Sequence, residues 1–224
     1  MITNRKTFNS KITELGKFAL EVPNEVIKNE PMFFNCDLQY AYSNGKRITR
    51  SFIDALPQYW RNDPSNVVFD SRVHMLMPSW FPCIPGYHHD DIPRLNNNTG
   101  QPNYNNPEYY SEHILGVVNA DICPTEFALG KCIMPSVRNN EIVYKKWHLE
   151  VEKLITDWEL IVKKAEDRTL YAFDWQTFHT GTKAVANGWR WFGRVSRNTD
   201  RTKHITNEIR VNSQVYLEFP MEGW

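Results

Sequence analysis

Two short, widely separated segments constrain the fold of this chain more than any other part of its sequence. The first, residues 86–91, holds His88 and Asp90 in a His-x-Asp arrangement, and the second holds His179 before a Thr-Gly pair. Side chains at positions i and i+2 of an extended chain point to the same side, so His88 and Asp90 can face a common point. His179 must then come from a strand that faces the first segment. Such a fold gathers two imidazoles and one carboxylate, which is a metal-ligand set.

Arginines that follow His179 extend this pattern. Two imidazoles and one carboxylate on one face are the ligands of non-haem Fe(II) oxygenases, which keep coordination positions open for a co-substrate and O2. A 2-oxo acid can chelate two of these positions, and its far carboxylate then needs a planar two-donor partner. Arginine supplies such a partner better than lysine. Arg190 follows His179 in the second segment, and Arg194 lies on the same face if this stretch is a strand.

Together these segments resemble the Fe(II)- and 2-oxoglutarate-dependent oxygenases. The likeness rests on Gly86–Asp90, similar to the aromatic-His-x-Asp motif of the family, on Phe178–Gly181 and on Gly188–Ser196, and it extends over residues 67–200. It is greatest for the phytanoyl-hydroxylase-like and taurine-dioxygenase-like branches. The resemblance implies a mainly β fold, a double-stranded β-helix (jelly roll) with flanking helices. It also implies a dioxygenase that couples oxidative decarboxylation of 2-oxoglutarate to hydroxylation or oxidation of a second substrate.

The resemblance implies a catalytic set that also binds Fe(II): His88, Asp90 and His179. The register of the first two ligands is open, because His89 and Asp91 have the same spacing. We favour the earlier pair, since the family usually has an aromatic residue directly before the first ligand and Tyr87 holds that place.

Four further residues are candidates for binding the co-substrate 2-oxoglutarate. Arg190 stands at the distance from His179 at which those branches place their 2-oxoglutarate-binding arginine. Thr125 lies where the middle strand of the family often offers a hydroxyl, and the alternative is that it merely begins a strand. Arg194 forms an Arg-x-Ser pattern with Ser196 and can bind the co-substrate, bind the substrate or form an ion pair.

Composition limits the partners and the compartment. The 224 residues carry a net charge of zero, and a strongly basic surface, which nucleic-acid binders usually show, is not indicated. We therefore expect a small-molecule or peptide substrate with O2 rather than a nucleic acid. The four cysteines have no CxxC spacing, so a zinc ribbon is not indicated. Neither a secretory h-region nor an apolar run of membrane-spanning length is present, which predicts a cytoplasmic protein without a membrane partner.

Hydrophobic patterning predicts a single domain over residues 1–224. Residues 1–66 would add helical and extended segments, residues 67–200 would form the jelly-roll core, and residues 201–224 would form a C-terminal extension. Two other function classes stay open: a cupin-like metal enzyme that does not use 2-oxoglutarate, and a jelly-roll binding module without catalysis.

Local patterns predict the individual elements. Strands are expected at residues 67–69, 72–77, 113–119, 126–134, 170–173 and 189–196, with extended stretches at 33–37, 40–42 and 210–217. Helices are expected at residues 48–60 and 141–164. The polar, Asn-rich loop 91–112 is interpreted either as a lid whose tyrosines, Tyr104, Tyr109 and Tyr110, contact the substrate or as a passive surface loop.

Overall fold

The structure, a computed structural model that describes residues 2–19, 21–95, 100–106 and 110–217, is mainly β with antiparallel sheets. The strands are β1 (Lys6–Ser10), β2 (Ile12–Lys17), β3 (Met32–Phe34), β4 (Val67–Leu76), β5 (Glu112–Val118), β6 (Thr125–Met134), β7 (Ile161–Lys164), β8 (Thr169–Asp174), β9 (Phe178–Gly181), β10 (Gly188–Arg197) and β11 (Glu208–Arg210). The α-helices are α1 (Asn24–Lys28), α2 (Leu38–Asn44), α3 (Arg47–Asp54), α4 (Gln58–Arg61) and α5 (Val143–Thr156). The predicted mainly β fold is confirmed.

The strands form two main sheets and one small ribbon. The larger sheet has the order β2-β8-β5-β10-β4. The smaller sheet is built on β6, which pairs with β7 and β9 over its first half and with β1 over its second half. Strands β3 and β11 form the ribbon. Because β1 and β2 pair with strands of the two main sheets, the N-terminal residues belong to both of them. The division of the chain at residue 67 stays a prediction.

An apolar core separates the two main sheets. Phe127 of β6 lies 5.8 Å from Tyr171 and 5.5 Å from Phe173 of β8, measured between ring centres. Successive residues of a strand face opposite sides, so Leu115 of β5 enters this core while Ile114 enters the core on the other face of the larger sheet. The two sheets therefore face each other with their inward side chains interdigitated.

Helices cover the outer face of each sheet. On the larger sheet, Phe52 of α3 packs against Trp191 of β10, with ring centres 5.5 Å apart. On the smaller sheet, Trp147 of α5 lies 5.4 Å from Phe8 of β1. The order of layers is helices, larger sheet, smaller sheet and α5. Among the described residues, no helix has both the length and the apolar character that crossing a bilayer requires.

Both predicted helices were too long. The first ends at Asp54 as α3, and a separate turn, α4, follows Pro57, because proline cannot donate the backbone hydrogen bond that continues a helix. The second ends at Thr156 as α5, and the chain then turns through Trp158, whose φ is 61°, into strand β7. The helical spacing of apolar residues continues to Ile161, but Ile161 begins this strand.

Several extended segments also differ from their prediction. Residues 40–42 belong to α2, which begins because the Asp37 carboxylate accepts a hydrogen bond from the Tyr40 backbone N–H at 2.6 Å. The two strands predicted between residues 67 and 77 form the single strand β4, which pairs with β10 along its whole length. In the described part of the tail, up to residue 217, β11 is the only strand, and Tyr216 forms an isolated bridge with Phe81.

Phe8 provides a test of the packing between β1, α5 and the smaller sheet. Its ring is 1% exposed and contacts five other aromatic rings: His89, Tyr104, Trp147, Trp175 and Phe178. We expect Phe8→Ala to lower the free energy of unfolding by about 3–5 kcal/mol, because truncation of a buried phenylalanine leaves a cavity. Leu149→Ala, at an exposed position of α5, should change it by less than about 0.5 kcal/mol. Equal losses in urea unfolding would contradict this account of the core.

Candidate metal centre and its cavity

A short backbone bridge places the two candidate histidines side by side. The His88 N–H donates to the His179 carbonyl at 3.1 Å, and the His179 N–H donates to the His88 carbonyl at 3.2 Å. His179 belongs to β9, which is held by β6, so the irregular segment before His88 is fixed onto the smaller sheet. Asp90 follows two residues later. The ligand atoms of His88, Asp90 and His179 all lie within 4.8 Å of one another.

Hydrogen bonds orient both imidazoles. His88 Nδ1 lies 2.8 Å from the Gly86 carbonyl oxygen, and His179 Nδ1 lies 3.0 Å from the Thr177 carbonyl oxygen. A carbonyl oxygen only accepts, so each Nδ1 carries a proton, and Nε2 is the ring nitrogen that is left to face Asp90 and a metal. Nε2 of His88 and of His179 lie 3.8 and 2.9 Å from the Asp90 carboxylate oxygens. The three side chains thus converge through the atoms that can bind a metal.

The alternative register does not converge in this way. The His89 ring lies on the opposite side of the segment, where it stacks on Phe178 at 3.9 Å between ring centres and its Nδ1 lies 2.8 Å from the Tyr104 hydroxyl. The Asp91 carboxylate lies 3.4 Å from Arg201. The structure therefore brings Asp90, and not His89 or Asp91, together with the other two candidate ligands.

Electrostatics favour the protonation states that metal binding needs. Burial alone would raise the pKa of the Asp90 carboxyl, but Arg194, in direct contact with it, and His179 outweigh burial and hold this pKa well below its usual range. Burial, and then the neighbouring His179, lowers the pKa of His88 to about 3. Near neutral pH, Asp90 is therefore a carboxylate and His88 is neutral, as metal ligands must be.

The candidate ligands open into a cavity of about 540 Å³, and Arg190 and Thr125 lie in the same cavity. Arg190 is 2% exposed. Its Nε donates to the Cys123 carbonyl at 2.7 Å, and one terminal nitrogen donates to the Thr125 hydroxyl at 3.2 Å. Two of the four predicted co-substrate residues, from different sheets, are thus in direct contact beside the candidate ligands.

The other two candidates, Arg194 and Ser196, have different partners. The Arg194 guanidinium contacts Asp90 and also approaches Asp70 at 3.7 Å, so its charge is directed to carboxylates of the protein. The Ser196 hydroxyl lies 2.8 Å from Nδ1 of the buried His113, and Ser196 is outside the described lining of the cavity. The even-numbered residues of β10 face one side, as predicted, but only those from Arg190 to Arg194 reach the cavity.

Part of the cavity wall comes from residues outside the predicted ligand and co-substrate set. Asp70, Arg72 and His74 of β4 line it, together with Arg201 and Arg210 from the C-terminal region. The first three alternate along one face of β4, which is a signal that the sequence did carry. Burial, followed by the charge of Arg190, lowers the pKa of His74 to about 3, so this wall residue is neutral.

The predicted lid is described only in part. Tyr109 lies outside the described residues, as do residues 96–99. Tyr104 does not face the cavity but packs 4.8 Å from Trp147 in the core between α5 and the smaller sheet, whereas Tyr110 is 59% exposed and packs near Trp175. Tyr104 therefore packs beside His89, on the side of the segment that faces away from the cavity, and does not cover the cavity.

Comparisons with known proteins give distant structural likeness only. No family model and no curated protein matches the chain. Its fold is similar to EvdO2 from Micromonospora carbonacea var. aurantiaca, solved in complex with 2-oxoglutarate, at 7% identity, with a TM-score of 0.37, over 80% of this chain and 67% of that one. It is also similar to an N-substituted L-amino acid dioxygenase from Burkholderia ambifaria AMMD, at 12% identity, with a TM-score of 0.30, over 69% and 60% of the two chains.

The two candidate registers can be separated by metal binding. We expect Asp90→Asn to weaken Fe(II) affinity by more than about 100-fold, because it removes a ligand rather than an outer partner. Asp91→Asn should leave the affinity within about tenfold, because Asp91 pairs with Arg201. Anaerobic Fe(II) titration measures both. A larger loss in Asp91→Asn than in Asp90→Asn would move the ligand set to His89 and Asp91.

Proposed function

We propose that the protein is an Fe(II)- and 2-oxoglutarate-dependent oxygenase with a double-stranded β-helix core. One observation carries the proposal. The His-Asp-His set and the buried Arg190–Thr125 pair lie in one cavity between two antiparallel sheets. The first group suits a metal, and the second suits the far carboxylate of a 2-oxo acid. Assignment to the phytanoyl-hydroxylase-like or taurine-dioxygenase-like branch, and to the cytoplasm, stays a prediction.

The donor set fits Fe(II). Two imidazoles and one carboxylate provide three ligands of intermediate and hard character, and no thiolate joins them among the described residues. Both imidazoles are oriented by backbone carbonyls, so the Nε2 atoms need no rearrangement to bind. Bound Fe(II) with its 2-oxo acid would supply the activation of O2 that oxidises the substrate.

Arg190 would hold the co-substrate. Its guanidinium forms no ion pair with a carboxylate of the described residues, although it is buried. A buried, unpaired charge is costly, and a carboxylate that enters the cavity would relieve that cost. Hydrogen bonds to Cys123 and Thr125 fix the guanidinium plane, so that its remaining donors are preorganised for the incoming anion.

Arg194 would position the carboxylate ligand. It contacts one oxygen of Asp90, Oδ2, while His88 faces the other, Oδ1. A carboxylate that is fixed in this way keeps its orientation toward the two histidines. Arg194 would therefore act through Asp90, and the co-substrate would be bound by Arg190.

The cavity suits a small substrate. Its volume of about 540 Å³ falls within the range of roughly 300–1,000 Å³ that is usual for small-molecule sites. The 2-oxo acid would occupy the part near Arg190, and the rest of the space, toward β4 and the β3–β11 ribbon, is left for the substrate.

Activity provides the first test of this function. In the presence of Fe(II), the protein should consume O2 and release succinate from 2-oxoglutarate. His179→Ala should reduce this release by at least about 100-fold, because it removes a ligand. His204→Ala, at an exposed position outside the site, should retain it. Metal binding without any use of 2-oxoglutarate would favour a cupin-like enzyme, and absence of metal binding would favour a binding module.

The role of Arg190 predicts a specific kinetic effect. Arg190→Gln should raise the apparent KM for 2-oxoglutarate by about 30- to 5,000-fold, because loss of a buried charged contact costs about 2–5 kcal/mol. Thr125→Val should raise it by less than about tenfold, since one neutral hydrogen bond is lost. Fe(II) affinity without co-substrate should stay unchanged in both. If Arg194→Gln raises this KM while Arg190→Gln does not, the two arginines exchange roles.

A further inference from the structure

A second group of positive charges lines the cavity. The guanidinium carbons of Arg210, Arg72 and Arg201 lie 3.7, 5.4 and 5.8 Å from the centre of the Phe34 ring. We call these three arginines the arginine cluster. Arg190 is not one of them, because its guanidinium lies over Phe192 instead, at 5.8 Å.

The cluster is assembled from separate parts of the chain. Arg72 belongs to β4, where it is paired in register with Phe192 of β10. Phe34 and Arg210 come from the two strands of the β3–β11 ribbon. Arg201 comes from the short 3-10 helix Asp200–His204. The fold therefore gathers three cations around one aromatic ring at the side of the cavity formed by the edge of the larger sheet.

The members of the cluster differ in their partners. Arg201 pairs with Asp70 at 2.6 Å, and Arg210 pairs with Glu208 at 2.8 Å. Arg72 forms no ion pair with a carboxylate of the described residues. Its Nη1 donates to the carbonyl oxygens of Phe33 at 2.9 Å and Ser71 at 2.7 Å, and its Nε and Nη2 have no hydrogen-bond partner in the described parts of the chain. Arg72 thus presents an unneutralised charge with donors to spare.

The surroundings of Arg72 are electrostatically unfavourable. Burial lowers its pKa, and the positive charges of Arg210, Arg194 and Arg201 lower it further, while Asp70 acts in the opposite direction. Packing cations together without a compensating anion costs free energy. An oxyanion bound between Arg72 and Arg210 would remove this cost.

The charge of the whole cavity leads to the same conclusion. Its described lining includes five arginines and two aspartates, and two further carboxylates, Asp91 and Glu208, pair with arginines of this lining, so the arginines still outnumber the carboxylates. A divalent cation and a doubly charged 2-oxo diacid cancel one another, so binding both of them leaves the positive excess in place. The co-substrate would engage Arg190, and the charge of Arg72 is then still available.

We propose, on the basis of the proposed function, that the substrate is a small organic anion whose oxyanion group is bound by Arg72 and Arg210. Asp70 connects this position to the metal centre, since it approaches both Arg201 of the cluster and Arg194, the partner of Asp90. A substrate anchored at the cluster therefore lies beside the candidate metal ligands, with its uncharged part directed to them.

Calorimetry with three probes tests this proposal. Inorganic phosphate, butyrate and the neutral butyramide are titrated anaerobically into the protein saturated with Fe(II) and 2-oxoglutarate, so that the Arg190 position is already filled. We expect phosphate or butyrate to bind and butyramide not to bind, and the stronger of the two anions identifies the oxyanion type. Arg72→Gln and Arg210→Gln should each weaken anion binding by about 10- to 100-fold.

Matched controls separate this result from a general loss of structure. Arg50→Gln removes a guanidinium that lies over Tyr42, at 5.8 Å, on the outer helix α3, and it should leave anion binding unchanged. Affinity for 2-oxoglutarate should be unchanged in all three variants. Equal anion affinity in Arg72→Gln, Arg210→Gln and the wild type would overturn the proposal. So would the binding of neither anion, or a loss of 2-oxoglutarate affinity in the two cluster variants.

Failure of the proposed function has a different signature. If the wild type binds neither Fe(II) nor 2-oxoglutarate, the oxygenase assignment is wrong, and the substrate role is wrong with it. Titration of phosphate into the protein alone, with Arg72→Gln and Arg190→Gln compared, then shows whether the cluster is an anion site. Weaker binding in Arg72→Gln alone would establish that site, and equal binding in both variants would exclude it.

Discussion

The reciprocal backbone hydrogen bonds between His88 and His179 are the constraint on which the site depends. They attach an irregular, proline-rich segment to β9, and β9 is held in turn by β6. This bridge places two imidazoles from distant parts of the chain side by side. Side chains alternate along an extended segment. The side chain of His89 therefore lies in the aromatic core against Phe178, and the side chain of Asp90 lies on the opposite side, beside His179.

Charge balance organises the rest of the cavity. Asp90 and Asp70 neutralise Arg194 and Arg201, and this chain of ion pairs leaves two arginines, Arg190 and Arg72, without a carboxylate partner among the described residues. A buried ion pair stabilises little in itself, but a charge without a partner is costly where it is buried, as at Arg190, or half-buried, as at Arg72, and a bound anion would relieve that cost. We propose that Arg190 binds the co-substrate and that Arg72 binds the substrate.

Some features of the candidate site could be predicted from the sequence, and others could not. The His-x-Asp spacing and the later His and Arg could be recognised because strand alternation and motif spacing are local properties. The choice of register needed the structure, since the bridge to β9 shows that His88, and not His89, faces the cavity beside His179. Arg201 and Arg210 could not be found, because tertiary contacts around Phe34 bring them to the cavity. Helix ends were misjudged where apolar spacing continued through Pro57 and into β7.

A crystal structure of the protein grown anaerobically with Fe(II) and 2-oxoglutarate would test the central claim most directly. The account predicts that Nε2 of His88, Nε2 of His179 and one carboxylate oxygen of Asp90 bind the metal. It also predicts that the far carboxylate of 2-oxoglutarate contacts Arg190. A metal bound by His89 or Asp91, a metal elsewhere in the protein, or a co-substrate held by the arginine cluster would contradict it.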